Sequence, residues 1–186
     1  MAGTTSKISI SSNALILLGH PPISSFDEAG SGAQAAANLY EISYQNLLSS
    51  NRWRFAVKKA QLARLSAAPL NGFTYQFQLP SDLLYLIKTE ESQDYEIYGS
   101  KLLTNRSTVS IDYTYRVNED SLPPYFIKAM EFYLAMQFAI PVTGNSTRAS
   151  EYEGMYKSQM NLAKYLDASQ RPNDGFEDSP YVDARY

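Results

Sequence analysis

Hydrophobic and polar positions along this chain change period twice. From Lys7 to Ser50 the apolar residues recur about every 3.6 positions, from Arg54 to about Val117 they mostly alternate, and from Tyr125 to about Ser169 the helical period returns. The first changeover, Ser50-Asn51-Arg52-Trp53-Arg54-Phe55-Ala56, holds the only tryptophan. A large aromatic at such a point packs where two layers meet, so Trp53 is expected to be a hinge of the core, with ligand stacking as the alternative.

Four helices follow from the helical stretches. Lys7 to Leu18 predicts a helix with Ile8, Ser12, Leu15 and Leu18 along one side, capped by Thr4, Thr5 or Ser6 and ended by Gly19. His20-Pro21-Pro22 cannot continue it, and the Ser/Gly/Asp-rich loop from Ile23 to Gly32 is anchored by Phe26. A second helix, about Ala33 to Ser50, turns Ala35, Leu39, Ile42 and Leu47 inward. Ser121-Leu122-Pro123-Pro124 starts a third over Tyr125 to Ile140, with Pro141 expected to stop it. Phe126, Met130, Tyr133, Leu134, Gln137 and Phe138 wrap so much of its circumference that it should be the central helix. Ser146 or Thr147 caps the last helix, which reaches about Ser169 with Tyr152, Met155, Gln159, Leu162 and Leu166 along one side.

The alternating stretch predicts strands. After Arg54 to Leu65 they are Phe73 to Leu79, Leu84 to Thr89, Tyr95 to Tyr98, Lys101 to Thr104 and Thr108 to Tyr115, with Gly99-Ser100 as a tight hairpin. The expected fold class is α+β: an antiparallel bundle of about four helices (residues 1–53 and 119–170), an inserted small antiparallel β lobe (54–118) and an extended C-terminal arm (171–186).

Composition narrows the function. The 186 residues can bury one good core, with at most a small second lobe. A net charge of -3 argues against holding nucleic acid by phosphate neutralisation, though not against a wall that DNA slides past. Cysteine is absent, which rules out disulfides, thiolate metal sites and cysteine nucleophiles. The apolar run Ala14 to Leu18 is too short for an export signal or a bilayer span, so the chain is expected to be soluble. Fifteen tyrosines, each an apolar ring with a polar tip, suit partly wet contacts with other chains.

Site chemistry is sparse. The single histidine, His20, sits beside two prolines as a turn residue without a catalytic partner. Asp27-Glu28, Glu90-Glu91 and Glu119-Asp120 are neighbours in sequence at loop positions, where solvation is the simplest account. Gly30 and Gly32 precede a helix but lack the Gly-Lys-Ser/Thr of a phosphate loop. Arg52, Arg54, Lys58, Lys59 and Arg64 cluster locally, and strand alternation should scatter them over a solvated surface; contact with phosphate or an acidic partner is the alternative. No catalytic, cofactor-binding or metal-binding residue is assigned, and only an all-oxygen metal site would be possible. The final segment, Arg171 to Tyr186, mixes carboxylates and prolines with Phe176, Tyr181 and Tyr186, which fits a frayed end or an arm that orders on binding.

Taken together the motif order resembles the head-to-tail adaptors of short-tailed bacteriophages, the tail tubular protein A family. The residues that carry the resemblance are Ala14-Leu15 with Leu18-Gly19, Pro22-Ile23-Ser24-Ser25-Phe26, Trp53-Arg54-Phe55-Ala56 and Tyr75-Gln76-Phe77-Gln78-Leu79-Pro80-Ser81-Asp82. Pro124-Tyr125-Phe126, Leu134-Ala135 through Phe138-Ala139-Ile140-Pro141 with Thr143-Gly144, and Asp178-Ser179-Pro180-Tyr181 with Ala184-Arg185 complete it. The resemblance implies a virion protein, made in the host cytoplasm, that assembles as a twelve-subunit ring between the portal and the tail nozzle. DNA would pass through the lumen during ejection without specific binding, and there would be no catalytic residues or cofactor. The arm residues Phe176, Asp178, Pro180, Tyr181, Arg185 and Tyr186 would then bind the portal or a neighbouring subunit, and Tyr95, Tyr98 and Lys101 of the β lobe would face the nozzle. Two alternatives are a transient tail-completion or assembly-chaperone protein that binds the portal, and a cell-wall glycan hydrolase using paired carboxylates.

Overall fold

The computed structural model describes residues 5–70, 72–89 and 94–170 of the chain. The fold is α+β, with four helices and two small antiparallel sheets: α1 (Lys7–Leu17), α2 (Ser31–Ser49), β1 (Val57–Gln61), β2 (Ala63–Arg64), β3 (Tyr75–Gln78), β4 (Leu83–Thr89), β5 (Tyr95–Tyr98), β6 (Lys101–Thr104), β7 (Ser110–Tyr115), α3 (Pro124–Thr143) and α4 (Ser146–Ala168). The arm, residues 171–186, lies outside the described residues.

Local chemistry sets most helix ends. Ser6 caps α1 reciprocally with Ser9: the Ser9 N–H donates to the Ser6 hydroxyl at 3.1 Å, and the Ser6 N–H to the Ser9 hydroxyl at 2.9 Å. Gly19 then turns the chain with φ +73°. Two expectations need correction here. Pro141 does not stop α3, because its fixed φ is itself helical and only its missing N–H is lost; the helix runs on to Thr143 and ends at Gly144, φ +66°. The cap of α4 is Asn145, whose side chain accepts the N–H groups of Thr147 (2.9 Å) and Arg148 (3.3 Å), leaving Ser146 and Thr147 inside the helix.

Helix α3 is the centre of the bundle and packs on α1, α2 and α4. It buries Phe126, Ala129, Met130, Leu134, Ala135, Phe138 and Ala139. The inward faces of its neighbours match those expected in part. On α2 the buried residues include the expected Ala35 and Leu47 with Ala33, Ala36, Tyr40 and Tyr44, while Ile42 is 58% exposed. On α4 they are Met160, Ala163 and Asp167, while Met155 and Leu162 are half exposed. Two α4 side chains reach back to the end of α1, where Tyr152 donates to the Leu17 carbonyl and Arg148 to the Leu18 carbonyl, meeting acceptors that a helix end leaves open.

The strands lie between α2 and α3 in the chain. One sheet has the order β1-β7-β4 and the other β2-β3-β6-β5, all pairs antiparallel. The chain passes from one sheet to the other at Leu62, which is buried and donates its N–H to the Val109 carbonyl at 2.9 Å. Between the sheets a second core gathers Leu62, Phe77, Leu79, Leu102, Val109, Ile111 and Tyr113. Leu84 packs on the helical core and Tyr115 on both cores, so the first sheet is wedged between the two.

Trp53 is fully buried where α2 gives way to the strands. Its ring meets Phe126 edge to face at 5.2 Å and its Nε1–H donates to the Leu47 carbonyl at 2.9 Å. On the return pass Arg116 forks onto both oxygens of Glu41 (2.7 and 2.8 Å), reaches Glu119 at 2.8 Å and lies 4.8 Å above the Tyr44 ring. Tyr44 donates to the Val117 carbonyl at 2.8 Å and Tyr40 to Glu119 at 3.2 Å.

Trp53→Ala should cost about 3–5 kcal/mol of stability, read from urea unfolding by circular dichroism, with Trp53→Phe losing less because it keeps the ring contact but not the hydrogen bond. Burial, with the nearby Glu119 charge second, pushes the phenols of Tyr40 and Tyr44 well above their ordinary value of 10.0. Above that pH the unfolded chain loses protons that the folded chain keeps, so stability is complete below it and falls as pH rises past it. Urea midpoints measured across that range should decline, and less steeply for Tyr40→Phe.

Candidate interaction surfaces

The two described carboxylate pairs, Asp27-Glu28 and Glu119-Asp120, are engaged in local hydrogen bonds. Glu28 accepts the N–H groups of Ser24 (2.8 Å) and Ser25 (3.1 Å) and the Ser24 hydroxyl, and these bonds, the Ser24 hydroxyl first, hold its carboxyl below the usual range. Asp27 belongs to the same turn, its N–H donating to the Ser25 hydroxyl. Glu119 turns inward to Arg116 and Tyr40, whereas Asp120 accepts the Ser121 hydroxyl. The third pair, Glu90-Glu91, lies outside the described residues. His20 has its Nδ1 3.0 Å from the Pro21 carbonyl oxygen. Its ring sits on Gly32, where an added Cβ would come within 2.9 Å of it, so that glycine serves close packing. Among the described residues there is no group of three or more His, Cys, Asp or Glu that could hold a metal ion, and no helix long and apolar enough to cross a membrane.

What the described residues do present is uncovered apolar and charged surface. The hairpin of β5 and β6 turns at Gly99, φ +59°, which pairs Tyr98 with Lys101 across the strands. These two line an open depression of about 590 Å³ with Leu70, Pro69 and Leu103. Tyr98 is 76% exposed and Leu70 wholly so, at the end of a loop held by the Gln76 amide donating to the Ala67 carbonyl at 2.8 Å. Tyr95 is placed differently. It pairs with Thr104 and leans on the inter-sheet core, so the structure brings Tyr98 and Lys101 together and sets Tyr95 apart from them. Leu70 is the residue that periodicity missed, because it belongs to no strand.

On the bundle, Met155, Leu162 and Tyr165 share one flank of α4 and leave half or more of their surface uncovered. The basic cluster divides. Lys58 pairs with Asp82 at 2.7 Å over the Tyr115 ring, and Arg64 stacks on Tyr75. Arg52, Arg54 and Lys59 with Val57 instead line a separate open depression of about 380 Å³. The arm residues Phe176, Asp178, Pro180, Tyr181, Arg185 and Tyr186 lie outside the described residues.

If Tyr98 is free for a partner while Tyr95 holds the lobe together, Tyr98→Ala should leave thermal unfolding unchanged and Tyr95→Ala should lower stability by about 2 kcal/mol, measured on the isolated protein. Compared with known proteins, the chain matches no family model and no curated sequence.

Proposed function

We propose that the protein is a structural connector of a phage virion, a head-to-tail adaptor whose copies close into a ring between portal and nozzle around the DNA channel. The observation that carries this is two uncovered apolar patches on different parts of the subunit, Met155, Leu162 and Tyr165 on α4 and Leu70 with Tyr98 beside the β5–β6 hairpin. Ring closure by head-to-tail contacts needs two different complementary surfaces on every copy, and contiguous apolar patches are where such contacts form. The order of motifs along the sequence supports the same reading. In it α4 contributes to the contact between neighbouring copies, Tyr98 and Lys101 meet the nozzle, and the arm engages the portal or the next subunit.

Electron microscopy of the purified protein, alone and with a portal, tests the proposal directly: rings are expected at least in the presence of portal, and monomers under both conditions would refute it. Deleting residues 171–186 should leave the circular dichroism spectrum intact and abolish capture by the portal, whereas capture at wild-type strength would remove the arm from this role. Leu162→Glu should block ring closure without unfolding the subunit. Presence of the protein in purified particles separates a connector from a transient chaperone.

A further inference from the structure

The depression lined by Arg52, Arg54, Val57 and Lys59 carries more positive charge than its own surroundings offset. At its edge Asp112 on β7 stands in register between Lys59 on β1 and Lys88 on β4. The carboxylate is 3.8 Å from each lysine nitrogen and 3.5 Å from Arg52, and it is nearly buried. The three cations it serves keep 59%, 78% and 55% of their side-chain surface in water. Arg54, also exposed, has no carboxylate at ion-pair distance among the described residues. Against these four cations stand Asp112 and, behind Arg54, the buried carboxylate of Asp167, which still leaves positive charge in excess, and like charges so placed across neighbouring strands repel.

The described chain ends beside this patch. Asp167, in the last turn of α4, accepts the Arg54 N–H at 3.0 Å and the Tyr125 hydroxyl at 2.9 Å, which pins the helix end to Arg54. Gln170 lines an adjoining depression together with Arg54, Asp120 and Tyr125. The residues that follow have an ordered charge pattern: Arg171 first, which suits Asp120, then Asp174, Glu177 and Asp178 around Phe176. At about 3.3 Å per extended residue these three carboxylates can reach about 13–26 Å from Gln170. Arg54 lines both depressions, so the segment starts beside the basic patch, and Lys59 and Lys88, two strands from each other, are about 10 Å apart, a separation that carboxylates spaced along it can bridge.

We propose that the basic depression is the docking site of the chain's own C-terminal segment, with Asp174, Glu177 and Asp178 taking up the excess charge of Arg52, Arg54, Lys59 and Lys88 and Phe176 covering Val57. DNA phosphates would match the cations as well, but the segment brings an aromatic for the apolar lining and is tethered at the patch, which gives it an effective concentration on the order of millimolar. The docking belongs to the free subunit and needs neither portal nor ring, so it stands apart from the connector proposal.

The full chain contains no cysteine, so a single Ser179→Cys substitution accepts one spin label. The label should broaden the amide resonances of Val57, Lys59 and Lys88 at every protein dilution. Raised salt should weaken the effect, and Lys59→Glu should abolish it. Because Lys59 belongs to the sheet, the tail variant Asp178→Lys supplies a second test that alters nothing in the bundle or lobe, and it too should lose the broadening. An unbroadened patch overturns the proposal, as does broadening seen only between a labelled chain and a separate unlabelled, isotope-enriched one. So does a short DNA duplex that shifts the patch resonances of a chain whose label leaves them sharp.

Discussion

The burial of Trp53 against Phe126 is the interaction on which the rest of the structure depends. Two cores exist, one among the helices and one between the sheets, and the chain passes between them only near Trp53 and near Val117. At the first passage Phe126 makes edge-to-face contacts with Trp53, Phe55 and Tyr44, so one α3 residue joins α2, the turn that leads into β1 and the centre of the bundle. Aromatic contacts of this kind fix angle as well as distance, because edge-to-face packing is favoured over slippage.

Polar groups lock that seam at its rim. The indole N–H takes the Leu47 carbonyl, Arg116 binds Glu41 and Glu119 at the second passage, and Asp167 ties α4 to both Arg54 and Tyr125. Asp167 is 2% exposed, and a buried carboxylate is tolerable only because donors converge on it. Among the described residues every buried side-chain nitrogen and oxygen has a partner. The lobe is therefore tied to the bundle by polar contacts at both passages as well as by the aromatic seam.

How much of this the sequence revealed depends on how local the cause is. The β5 and β6 boundaries follow from Gly99 and the alternation beside it, and Tyr98 with Lys101 is legible as a pair for the same reason. The α1 cap and the Gly19 ending are equally local. The division of the strands into two sheets is not legible, since it rests on which distant strand each one meets. Nor is the gathering of Arg52, Lys59 and Lys88 around Asp112, which joins residues far apart in the chain. Pro141 misled because its missing N–H was weighed above its helical φ, and the Asn145 cap because a hydroxyl one residue later looked as suitable.

Two outward-facing positions on the expected inner side of α4 carry a functional argument of their own. Periodicity identifies residues that avoid water but cannot tell whether this chain or another one covers them. Met155 and Leu162 sit at helical spacing that looks like core, yet inside the subunit α3 is met by Met160 and Ala163 instead. An apolar stripe of that kind remains costly until something packs on it. Where a pattern written for burial is found at the surface of the described residues, whatever covers it comes from outside them, and that is why the connector proposal turns to α4.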